Sequence, residues 1–181
     1  MKSGSRKVSG LCARLGFNVN RRDSPDVWHL FRVRPSNHPS RRIMGMAELL
    51  HRSWDTDLVG WVSALVSTQQ VSEVKSALTV AEPELNAGTL IGASRAADLA
   101  VSVVLPFAHA WGFITKITAL SEGAMSFYRS WPPLQENAIT KETLRVLNAY
   151  MEGNSAKLPF KRTARRQQGL IYLYKRYLQG G

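Results

Sequence analysis

From Ser40 to Leu178 the apolar residues of this chain recur at three- and four-residue spacings, and no run alternates with period two in the manner of a half-buried strand. Such a chain buries stripes and not faces, so it must fold as helices packed on helices. Ser40 is placed to cap a first helix through about Trp54, with Ile43, Ala47 and Leu50 as its inward stripe. Asp55 or Thr56 caps a second, whose stripe is Leu58, Trp61, Val62 and Leu65, and Val71, Val74 and Leu78 mark a third. After the break "AEPELNAG", the segment from Ser94 to Trp111 is apolar nearly all round, as a central helix is, and Pro106 is expected to kink it or end its first half. Ile114, Ile117, Leu120, Ala124 and Phe127 carry a fifth helix up to "WPP". Thr140 then caps a sixth with Leu144, Leu147 and Met151 inside, and Thr163 caps a last one with Leu170, Ile171, Tyr174 and Leu178 on its face. The pattern predicts an all-α fold: a single bundle-like domain of six or seven helices over residues 34–181, preceded by an irregular basic arm over residues 1–33 with at most one short helix around Leu11 to Leu15.

With 181 residues the chain is long enough to bury a sizeable core without staples. Its single cysteine, Cys12, allows neither an internal disulfide nor a Cys-rich zinc cluster and suits a reducing compartment. No long apolar run follows the basic "MKSGSRKVSG", and the longest uncharged stretch, Leu99 to Thr115, falls short of the ~20 residues that cross a bilayer. The expectation is a cytoplasmic protein without membrane contact.

Charge is unevenly spread. Of the net +11, residues 1–50 contribute +7 and residues 151–181 contribute +6, while the middle carries −2. If the two basic ends meet, they form one positive face, the footprint of a protein that binds a polyanion such as DNA or RNA. Two helix starts repeat one electrostatic oddity. "RVRPSNHPSRRI" places Arg34, Arg41 and Arg42 at the opening of the first helix, and "KRTARRQQGL" places Lys161, Arg165 and Arg166 at the opening of the last. Cations belong at the other end of a helix unless an anion lies against them, and the free N–H groups of a helix start attract anions that arginines then grip bidentately. Pro35 and Pro39 are expected to stiffen the first of these loops, and both Arg pairs are expected to border one concavity. The competing expectation is that the arginines pair with acids such as Asp98 or Glu48.

Catalytic signatures are lacking. The histidines His29, His38, His51 and His109 make no recognised metal motif, and His109, in the apolar helix, is expected to be a hydrogen-bonded core residue. Asp55 and Asp57 lie between two helices, where capping explains them better than acid–base work. There is no nucleophile elbow, phosphate loop or dinucleotide fingerprint, so neither a cofactor nor a metal is predicted. In "LIGASRAADLAVSVVLPF", Leu90 and Gly92 resemble the loop of a helix-hairpin-helix, but Ser94 stands where such loops have a second glycine; a tight turn with Gly92 at positive φ is the expected reading.

Taken together, "RVRPSNHPSRRIMGMAELL", "LIGASRAADLAVSVVLPFAHAWG" and "ARRQQGLIYLYKRY" resemble the C-terminal part of a bacterial family catalogued as domain of unknown function 2851, over about Val33 to Tyr177. "LGFNVNRR" is similar to a shortened further block of that family. The resemblance implies that complete members also carry a β-rich, restriction-endonuclease-like half with His, Asp and Glu motifs, which this sequence does not show. Nuclease activity is therefore not expected of this chain by itself. Two functions remain: a non-catalytic helical module that binds nucleic acid through phosphates, using Arg34, Arg41, Arg42, Lys161, Arg165 and Arg166, or a helical scaffold that dimerises or docks a separate nuclease-like chain. A small-molecule enzyme would require His38, His51 and an acid to meet in one pocket.

Overall fold

The computed structural model describes residues 38–54, 57–81, 88–152 and 163–179. Among the described residues three helices come first, α1 (Pro39–Arg52), α2 (Leu58–Thr68) and α3 (Val71–Leu78), followed by strands β1 (Val80–Ala81) and β2 (Thr89–Ile91). Helix α4 (Ala93–Leu99) runs through a π-helical turn, Ala100–Val104, into α5 (Leu105–Ile114). Helices α6 (Thr118–Ser130), α7 (Ala138–Glu152) and α8 (Ala164–Leu173) complete the domain, α8 ending in a second π-helical turn, Tyr174–Leu178. Among the described residues the fold is all-α apart from the antiparallel pair of β1 and β2, in which Val80 faces Ile91 and Ala81 faces Thr89. Two and three residues are too few to show a period in the sequence, yet Val80, Leu90 and Ile91 are all buried. The expected arm over residues 1–33 lies outside the described residues.

The core is built around the continuous helix α4–α5. Ala96, Ala100, Val101, Val104, Leu105 and Ala108 face inward along it, against Val62, Val66, Val74 and Leu78 from α2 and α3 and Leu120, Ala124 and Phe127 from α6. Trp131, just after α6, is 1 % exposed and packs on Phe127 with ring centroids 4.9 Å apart. Pro106 neither ends nor breaks this helix. A proline cannot donate to the carbonyl four residues back and its ring presses on it, and the chain absorbs both defects in the wide turn immediately before, where Leu105 N–H reaches Ala100 O across five residues. At 22 residues the run Ala93–Ile114 is longer than the uncharged stretch suggested, and by length and composition it would span a bilayer. Its inward stripe is instead packed in the domain core, as expected of a central helix.

Caps differ in detail from the sequence pattern. Helix α1 begins at Pro39, which suits a first helical position because its missing N–H would have had no partner there; Ser40 thus lies inside the first turn and does not cap it. Asp57 caps α2, accepting from Val59 N–H at 3.3 Å and Gly60 N–H at 3.0 Å. Helix α7 starts at Ala138, with Asn137 accepting from Thr140 N–H at 2.8 Å, so Asn137 caps it and Thr140 answers from inside. Thr163 caps α8 as expected, accepting from Arg166 N–H. Gly92, expected at positive φ, has φ −81° and serves as the extended residue before α4.

Some apolar stripes also face elsewhere than predicted. In α1 the buried residues are Gly45 and Leu49, while Ile43, Ala47 and Leu50 are exposed. The helix packs flat on β2 through Gly45, where a Cβ would come within 2.8 Å of Ile91 Cγ1, and this close approach rotates the predicted stripe outward. Leu58 is exposed at the free start of α2. Ile114 and Ile117 flank the α5–α6 corner and face solvent. In α7 the buried residues are Thr140 and Thr143, with Leu144, Leu147 and Met151 half-buried; in α8 Leu170 is buried and Leu178 exposed.

Candidate functional site

The arginines of the first helix start are used in two ways. Arg41 is half-buried and its Nη2 donates to Thr89 O at 3.3 Å, tying α1 to β2. Arg42, one residue on, is exposed. Farther along α1, Arg52 pairs with Glu48 at 3.1 Å and donates to Thr79 O at 3.0 Å, so both ends of the helix are fastened by guanidinium groups to backbone carbonyls. Arg34 and Lys161 lie outside the described residues.

At the second helix start, two of the backbone N–H groups that would seat an anion are engaged. Ala164 N–H donates to Trp131 O at 3.1 Å and Arg166 N–H to the Thr163 hydroxyl at 3.4 Å. The glutamine beside the Arg pair is also structural: Gln167 is buried, accepts from Leu134 N–H at 2.6 Å and donates to Leu134 O at 3.0 Å. Attraction for an anion therefore rests on the side chains. Arg165, Arg166, Lys175 and Arg176 all project into solvent from one element, with the exposed rings of Tyr172 and Tyr177 among them. Gly169, on the same outer side, leaves open space where a Cβ would be. No Asp or Glu follows Glu152 in the sequence, so this stretch supplies no acid of its own.

The two helix starts sit in different surroundings. Helix α1 packs on β1 and β2, while α8 packs on α6 and α7. Between them runs a series of hydrogen bonds, from Arg41 to Thr89, from Ser94 Oγ to Gln135 Oε1 at 2.8 Å, and from Leu134 to Gln167. The acids considered as partners have arginines of their own. Glu48 holds Arg52, and Asp98 stands beside Arg95, three residues earlier. Burial lifts the Asp98 carboxyl above the usual aspartate value of 3.8, and the Arg95 guanidinium only partly offsets this.

His109 is half-buried and hydrogen-bonded, its Nδ1 lying 2.9 Å from Ser121 Oγ and 3.2 Å from Ser121 O, which suits the core role expected of it. His51 lies exposed in the last turn of α1. Among the described residues no three His, Cys, Asp or Glu side chains gather as a metal-holding group.

The sequence pattern did not single out Tyr172, Lys175, Tyr177 and Arg176 as surface groups, although the absence of any acid after Glu152 was there to be read. A second feature it missed is apolar. A groove of about 340 Å³ between α1 and α4–α5 has Arg42, Arg95, Asp98 and Ser102 at its mouth and Leu90 and Ile91 on its floor. It shares Met46, Leu99 and Val103 with an adjoining cavity of about 220 Å³ walled by Leu49, Trp61, Leu78 and Phe107. No protein-family model, curated protein or solved structure matches the chain.

Proposed function

We propose that this chain is a non-catalytic helical module that binds nucleic acid through its phosphate backbone. The observation that carries the reading is the last element, Ala164–Leu178, where four cations and two tyrosines are exposed on a stretch with no carboxylate. Guanidinium groups grip phosphate oxygens bidentately, and tyrosine rings offer surfaces on which unpaired bases stack, so single strands of DNA or RNA fit this surface better than a duplex groove. Arg42 adds to the basic surface at α1, while Arg41 is committed to holding Thr89. Binding of a fluorescent 20-nucleotide strand should weaken steeply as salt rises, because each phosphate neutralised releases counterion. Replacing Arg165 and Arg176 with Ala should lower the slope of log K against log salt by about 1.4, at ~0.7 per contact on a single strand. An unchanged slope in this double variant, with its fold intact by circular dichroism, would refute the proposal.

A second reading is a scaffold that dimerises or docks a separate nuclease-like chain. It is favoured by the α5–α6 corner, where Phe113 and Ile114 are each 75 % exposed and Ile117 48 %. Light scattering should then show a dimer that Phe113→Ser with Ile114→Ser converts to monomer. A monomer at all concentrations would remove the dimer version.

A further inference from the structure

The groove between α1 and α4–α5 is cationic at one end only. Arg42, Arg95 and Asp98 stand at its mouth, and beyond the shared residues Met46, Leu99 and Val103 the walls of the inner cavity are, among the described residues, apolar apart from Ser53, whose hydroxyl is spent on Leu50 O at 3.1 Å. Large apolar side chains along it are open to water: Met46 is 43 % exposed, Leu50 51 %, Val103 55 % and Phe107 36 %. Monomeric proteins rarely leave such a contiguous strip uncovered, and a narrow trough with charge at one end matches neither a flat protein face nor a nucleic-acid strand. An aliphatic chain fills an apolar trough, and a carboxylate at its end would lie against the Arg42 guanidinium. From this charge complementarity we infer that the groove is a binding site for a single-chain anionic amphiphile of the fatty-acid type, carboxylate at Arg42, acyl chain toward Phe107. Asp98, at the same mouth, opposes the carboxylate and sets a limit on affinity.

The site shares no residue with the α8 surface, and of the groove only Arg42 also belongs to the basic surface at α1, so Arg165→Ala with Arg176→Ala tests the nucleic-acid reading without touching the groove. The probe is laurate, titrated by calorimetry below its micellar range, with the quenching of Trp61 fluorescence as a second readout, against dodecanol as a chain of the same length without charge. Laurate is expected to bind one to one. Arg42→Gln should weaken it about tenfold, Asp98→Asn should tighten it, and neither should alter dodecanol. Each methylene removed from the acid should cost about fourfold in affinity, down to octanoate. Val103→Glu, a change at an exposed position, should abolish binding of both probes. The inference is overturned if laurate associates only as micelles, if Arg42→Gln weakens dodecanol as much as laurate, or if chain length has no effect. Unchanged laurate affinity in Val103→Glu, with circular dichroism unchanged, would also overturn it.

Discussion

Gln167 holds the backbone of Leu134 by both ends of its amide, accepting from the N–H and donating to the carbonyl of one residue. The pair closes the packing of α8 onto the segment after Trp131, where Ala164 N–H also reaches Trp131 O. A buried donor and acceptor left without partners each cost about 1–3 kcal/mol. Gln167→Ala should therefore lower stability by about 2–4 kcal/mol in denaturant titrations, while Gln168→Ala, one position on and half-buried, should cost less than 1 kcal/mol. Gln167→Glu separates hydrogen bonding from packing, since it keeps the shape and the acceptor but loses the donor to Leu134 O.

Helices α5 and α6 approach closely, and a single glycine sets their distance. A Cβ on Gly112 would lie 2.6 Å from Ser121 N and 3.0 Å from Ile117 O, both backbone atoms that no rotamer change can move aside. The corner itself holds Lys116 in a left-handed conformation, φ 60°, and Thr115 caps the end of α5 by donating its hydroxyl to Trp111 O at 2.7 Å. Gly112→Ala must part the two helices and disturb the Ser121–His109 hydrogen bond, so it should cost about 1–3 kcal/mol despite the better helix propensity of alanine. Thermal unfolding of this variant beside Gly169→Ala provides the check, because Gly169 has open space around it and its replacement should stabilise or leave stability unchanged.

Over the whole molecule, a net charge of +11 on 181 residues makes the folded chain repel itself. Three acids whose pairs the structure shows, Glu48, Glu136 and Glu142, each serve a cation near in sequence, Arg52, Lys141 and Arg145, and such exposed pairs contribute little. Raising sodium chloride from about 0.01 to 0.15 M shortens the screening length from about 30 to 8 Å and should raise the melting temperature by a few degrees. The same salt change should weaken oligonucleotide binding, so stability and affinity are expected to move in opposite directions. Parallel movement would mean that binding is not governed by the charge that strains the fold.

How far the amino-acid sequence alone determined this protein follows from which signals are local. The helical period, the Thr163 cap, the apolar centre of α4–α5 and the basic ends were all legible, because each depends on residues a few positions apart. The outward turn of Ile43 and Leu50 was not, since it follows from the contact of Gly45 with Ile91, nearly fifty residues away. Nor was the assignment of Arg41 to Thr89 and of Gln167 to Leu134, which turned parts of two expected anion sites into braces of the fold. Arginine and glutamine reach far and serve an anion or a carbonyl equally well, so their use is settled by what the packed backbone brings within hydrogen-bonding distance. The groove beside Arg42 has the same origin: its walls come from four helices and a strand, and only their packing made it a groove.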